Sequence, residues 1–151
     1  MSKELDTYIT ELNNFADTLP KIVNGIVVRH QFEVTDMIKI RLEGSGVDAK
    51  GGLIGGGQYS FTTLFHKEKK GAITSHFTLL DTGAFYQGMF IASQGETLLV
   101  SSRDSKTSML ESDYGEAILG LNEQETEVVA KQIIDPELQK IINKQTTFIE
   151  L

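Results

Sequence analysis

His30, His66, His76 and Asp81 are the side chains whose chemistry has to be weighed first. The 151 residues include 0 cysteines and 3 histidines. The missing cysteines exclude disulfides, thiolate zinc sites, iron–sulfur ligation and thiol nucleophiles together. The histidines lack HExxH-type spacing, and no GxSxG elbow exists, so a triad or a metal site has little to draw on. The string Leu79-Leu80-Asp81-Thr82-Gly83-Ala84 sets a carboxylate and a hydroxyl ahead of a glycine. Its plain reading is a cap, in which Asp81 and Thr82 satisfy the first amides of a short helix over Gly83 to Gln87.

Residues 43–60, EGSGVDAKGGLIGGGQYS, contain seven glycines. A phosphate-binding P-loop needs Lys and then Ser or Thr after its last glycine, and Gln58 and Tyr59 stand there. A dinucleotide loop should leave a buried strand and open a helix, which these flanks do not offer. A calcium loop needs oxygen ligands at alternate positions, and Asp48 stands nearly alone. What remains is a long mobile loop, an arm that orders against a neighbour. No residue is assigned as catalytic, cofactor-binding or metal-ligating, and the chain does not read as an enzyme.

The elements around these groups follow from periodicity. Leu5, Tyr8, Ile9, Leu12, Phe15, Ala16 and Leu19 recur at helical spacing, with Ser2 as N-cap and Pro20 as the end or restart. The stripe reads as a core face. Residues 21–42 stay open: Ile22, Val23, Ile26 and Val27 fit a helix, whereas Val28, His30, Phe32 and Val34, then Ile38, Ile40 and Leu42, alternate as a strand would. Ile73 to Leu80 reads as a strand, and Met89 to Ala92 with Thr97 to Ser101 as a hairpin turning through 93–96. A short helix over Ser105 to Asp113 stops at Gly115. Asn122 with Glu125 forms a capping box for the next helix, and Asp135-Pro136 caps and opens the last one, carrying Leu138, Ile141 and Ile142. The expectation is one α+β domain over 1–151: a small antiparallel sheet with a long glycine-rich loop, flanked by N- and C-terminal helices.

Hydrophobic residues make up 40% and charged residues 23%, which supports a packed core. The polar N-terminus is not a signal peptide and no apolar run suits a membrane helix, so a soluble protein made in a cytoplasm is expected. The net charge of −7 divides into −2 over 1–60, +1 over 61–110 and −6 over 111–151. Free DNA is therefore an improbable main ligand, since binding it normally calls for a basic surplus.

Leu80-Asp81-Thr82-Gly83-Ala84 resembles the signature of retroviral-type aspartic proteases, and Ile118-Leu119-Gly120 resembles their second signature. The resemblance implies a homodimer in which the Asp81 carboxylates of both copies share a proton and activate water. Spacing argues against it: only 34 residues separate Gly83 from Ile118. The glycine-rich flap candidate also precedes Asp81 instead of following it.

A second resemblance runs from about residue 38 to 142. Its elements are Leu42-Glu43-Gly44, Tyr59-Ser60, the basic turn Lys67 to Gly71, and Leu80 through Tyr86. After the hairpin come Lys106-Thr107, Leu110, Tyr114-Gly115, Ile118 to Leu121, and a charged C-terminal helix with Pro136 and Leu138. In this order they resemble the virion-morphogenesis or tail-completion proteins of tailed bacteriophages, including crAss-like phages of gut Bacteroidales. The resemblance implies a structural virion protein of the neck, a head–tail connector in a ring of six or twelve copies. It would join portal-side adaptor to tail, with DNA passing through the channel without specific binding and no membrane involved. Complementary charge between the acidic C-terminal third and Lys67 to Lys70 would suit contacts between subunits. An unassigned bacterial interaction module is the next reading, and the protease follows it.

Overall fold

The computed structural model describes residues 3–149. The fold is α+β: a two-stranded antiparallel sheet flanked by helices, within a mostly helical chain. In order come α1 (Lys3–Arg29), α2 (Gln31–Ser45), a 3₁₀ turn (Ile54–Gly57), α3 (Phe61–Lys69) and α4 (Ala84–Gln87). Then follow β1 (Met89–Gln94), β2 (Thr97–Ser102), α5 (Thr107–Tyr114), a second 3₁₀ turn (Glu116–Leu119) and α6 (Glu123–Val128). A π turn (Val129–Ile134) and α7 (Asp135–Ile149) complete the chain. None of the described helices is long and apolar enough to cross a membrane.

Residues 21–42 are helical except for the turn at His30. Val34, Ile38 and Leu42 are fully buried at a spacing of four, which fits one face of a helix, whereas a strand would bury Ile40 along with them. The strand-like alternation fails at Ile40, which is 72% exposed. Pro20 does not end the first helix. Ala16, whose carbonyl loses its partner to the proline, is exposed along with Pro20, so water can satisfy that group. The Ser2 cap lies outside the described residues.

The apolar stripe from Leu5 to Leu19 is not a core face: Phe15 and Leu19 are partly covered and the rest of the stripe is exposed, burial on α1 beginning only at Asn24. Ile26 and Val27 are buried, whereas every residue from Lys3 to Asn14 is exposed. Buried Asn24 keeps an amide nitrogen with no hydrogen-bond partner among the described residues.

The strand expected over Ile73 to Leu80 does not form; the segment is irregular, bent at Ser75 and His76, and pairs with neither strand of the sheet. The hairpin is as expected, with Met89 opposite Ser102 and Gln94 opposite Thr97, and Gly95 at φ 63 in the turn. Met89 and Ile91 point to the same face of β1 and enter two adjoining clusters. One is built on Ile38, Leu42, Ile54, Phe85 and Ile118, the other on Ile26, Val27, Val34, Val129 and Ile133.

The helix after Gly120 starts with the expected capping box between Asn122 and Glu125. Asp135 is not an N-cap, however, because its dihedrals are helical and the chain runs on from the π turn into α7. The wide turn falls just ahead of Pro136, where its ring would otherwise press on the carbonyl four residues back.

The glycine-rich stretch, expected as an arm, folds back onto the body. Ile54 is buried in the core, Val47 pairs with Leu53, and the Ala49 amide donates to the Ala117 carbonyl at 2.9 Å. Gly46 ends α2 at φ 64, and a Cβ there would lie 2.7 Å from the Phe77 carbonyl oxygen, so no other residue fits without a shift.

Arg41 locks these pieces together. It is 8% exposed, pairs with Glu125, and donates to the carbonyls of Val47 at 3.1 Å and Gly120 at 2.9 Å. Glu125 also accepts from the Asn122 amide at 2.9 Å, so one carboxylate serves the capping box and the ion pair.

Candidate functional site

A cleft of about 400 Å³ opens between the end of the glycine-rich stretch, α3, the irregular segment 72–82, α4 and α5. Ser60 starts α3 as its N-cap, accepting from the Thr63 amide at 3.4 Å. No residue of α3 is buried, so contacts at its ends have to hold it. Lys67 supplies them: its ammonium donates to the Leu80 carbonyl at 3.0 Å and lies 4.6 Å above the centre of the Tyr59 ring.

The floor is aromatic. Tyr59 stacks on Phe77 at 4.1 Å between ring centres, and Phe77 meets Tyr114 edge-on at 5.7 Å. Behind it, buried Thr78 receives the Tyr86 hydroxyl on its carbonyl and donates its amide to the Tyr59 oxygen at 2.8 Å. Burial, followed by the charge of Glu43, pushes the Tyr86 phenol well above its ordinary value, so it stays a donor. Leu79 takes a left-handed φ of 55, a conformation that bulky side chains avoid.

Asp81 stands on the rim, its side chain 59% exposed. One carboxylate oxygen accepts from Lys70 at 3.3 Å and the other from Lys106 at 3.4 Å. Hydrogen bonding from Lys70, then from Lys106, holds its pKa below the ordinary carboxylate value. The expected cap is therefore only half formed. Thr82 Oγ1 accepts from the Ala84 amide at 3.3 Å, but Asp81 bridges two lysines and Gly83 is the residue at the N-cap.

The three histidines stay apart. His30 contacts Glu33 at 2.9 Å, His66 meets the Phe65 ring edge, and His76 Nε2 lies 2.6 Å from the Glu43 carbonyl oxygen. Among the described residues, no group of three or more His, Cys, Asp or Glu side chains could hold a metal ion.

A carboxylate fixed between two ammonium groups is a weak base and a poor proton donor near neutral pH, so this cleft suits binding better than proton transfer. Sequence reasoning missed Arg41, whose signal was a lone cation beside Leu42 and three residues after Ile38. It also missed the lysines that meet Asp81 from 11 and 25 residues away, for which no local signal exists.

Scans against protein-family models, curated proteins and solved structures return no match for this chain.

Proposed function

We propose that the chain is a structural subunit of the tailed-phage neck, a head–tail connector or tail-completion protein. It assembles as a ring of six or twelve copies between a portal-side adaptor and the tail, around a channel that DNA crosses without specific binding. On this reading it is no enzyme, and its location is the virion after synthesis in the bacterial host cytoplasm.

The observation that carries an assembly role is the projecting half of α1. Tyr8, Ile9 and Leu12 make an exposed apolar stripe on a helix whose other end is fixed in the core. A continuous apolar strip of this kind is what a partner surface covers. The resemblance argues for the neck among assemblies. Tyr59, Lys67, Leu80 to Phe85, Lys106, Leu110 and Tyr114 belong to its ordered elements, and they line a single cleft. The protease reading draws less support, because a shared proton needs a carboxyl that can hold one, and two lysines favour the ionised Asp81.

The test is a conditional stop codon early in the coding sequence, in the genome of origin. DNA-filled heads without attached tails should accumulate under the electron microscope. Normal numbers of infectious tailed particles would overturn the reading.

A further inference from the structure

We infer that residues 60–75, with α3 at their centre, form a flap that opens the cleft while the rest of the fold stays in place. The segment leaves the body and re-enters it at one point. Tyr59 and Phe77, on either side of it, stack at 4.1 Å, and the Thr78 amide donates to the Tyr59 oxygen at 2.8 Å. On the return side, His76 Nε2 lies 2.6 Å from the Glu43 carbonyl oxygen of α2. A loop whose ends are clamped together in this way can swing about its neck without pulling on either flank.

Little holds the flap down beyond that neck. None of residues 60–75 is buried, and none belongs to either core cluster. The helix stands over empty space instead of packing on the body. The cleft lies beneath Ser60, Thr63 and Lys67, and a second cavity of about 520 Å³ lies beneath Thr63, His66 and Lys70, with Leu80 and Asp81 opposite. Two lysines tie α3 to the body. Lys67 donates to the Leu80 carbonyl at 3.0 Å and caps the Tyr59 ring, while Lys70 reaches Asp81 at 3.3 Å. Gly71, at φ 67 with open space where a Cβ would stand, turns the chain out of the helix.

These contacts set the order of opening. Freeing α2 would expose Val34, Ile38 and Leu42, which happens only when the core comes apart. Freeing α3 exposes no buried side chain of its own and breaks two ties, so it opens far below the cost of global unfolding. Lys67 is the stronger tie, because its bond is charge-assisted and half-buried, whereas the Lys70–Asp81 pair is exposed. Once α3 lifts, the two cavities merge and the apolar wall of Leu79, Leu80, Leu110 and Tyr114 becomes accessible.

Because the sequence has 0 cysteines, Leu80→Cys places a single thiol under the flap and keeps the carbonyl that Lys67 holds. Two rates are measured on the full chain at rising urea below the unfolding midpoint: amide hydrogen exchange by mass spectrometry, and labelling of that thiol by iodoacetamide. Exchange in α3 and labelling should both be nearly independent of urea, the mark of a small local opening, while exchange in α2 climbs steeply with it. Lys67→Met should quicken α3 exchange and labelling about tenfold or more, and Lys70→Met less than about fivefold, with circular dichroism confirming that both stay folded.

Exchange in α3 with the urea dependence of α2 would overturn the flap, since α3 would then open only with the whole fold. Labelling as fast as in the unfolded chain would overturn its role as the cover of the cleft. Labelling unchanged by Lys67→Met would overturn the latch.

Discussion

Replacing Arg41 with methionine removes the cation at the junction of α2, the glycine-rich stretch and α6 while filling much of the same volume. Glu125, with a side chain 12% exposed, would be left charged with no cation beside it. Stranding one member of a buried pair costs about 3–5 kcal/mol. The Val47 and Gly120 carbonyls would lose their donor as well, adding about 1 kcal/mol each where water cannot reach them. A domain of this size has about 5–15 kcal/mol in all, so the variant should sit at the edge of folding. With a total cost of about 5–7 kcal/mol, its melting temperature should fall by roughly 10–28 °C, at 2–4 °C per kcal/mol. Urea unfolding followed by circular dichroism gives the number directly. Adding Glu125→Gln to Arg41→Met should recover part of the loss, because the stranded charge is gone and the amide oxygen can still accept from Asn122. An Arg41→Met cost below about 1 kcal/mol, or a double variant no better than the single one, would refute the reasoning.

Three further outcomes follow from local geometry. Asp81→Asn should cost at most about 1 kcal/mol at pH 7, since both ion pairs are exposed. Because the folded pKa is lowered, the wild-type advantage is present above the ordinary carboxylate value of 3.8 and lost as pH falls through the folded value. An advantage that persisted at pH 2, or survived in molar salt, would contradict the lysine bridge. Asn24→Leu should stabilise the protein by about 1 kcal/mol by removing a buried donor that lacks a partner, measured as a rise in the urea midpoint. Gly46→Ala should cost about 2 kcal/mol or more, combining a left-handed φ of 64 with a Cβ driven against the Phe77 carbonyl; an unchanged midpoint would mean α2 ends differently.

Elements whose cause lies within a few residues were legible in the sequence. The hairpin followed from two apolar runs around Gln94-Gly95-Glu96, and the capping box from Asn122 and Glu125 three residues apart. The short helix expected over Ser105 to Asp113 and stopped at Gly115 forms over Thr107–Tyr114. Elements decided by distant partners were misread. Ile73 to Leu80 has the alternation of a strand, but Phe77, Leu79 and Leu80 pack against the core and, among the described residues, no third strand lies alongside. Pro20 reads locally as an end or restart and Asp135-Pro136 as a fresh start, yet each lies in a helical run that continues, past an exposed carbonyl in one case and after a π turn in the other.

The candidate site divides the same way. The string around Asp81 was visible as chemistry, and Thr82 does serve the amide two residues on. Whether Asp81 caps, catalyses or bridges depends on which cations the fold brings to it, and those arrive from α3 and from the start of α5. The apolar stripe from Leu5 to Leu19 was equally plain, but amphipathicity records only that a face can be buried, not against what. By itself the sequence determined the α+β class, the hairpin and the Asn122 capping box, because propensity and capping act over a few residues. Only the tertiary structure decided that Arg41 joins three segments, that Asp81 is held between lysines, and that half of α1 stands uncovered, because pairing and burial depend on groups far apart in the chain.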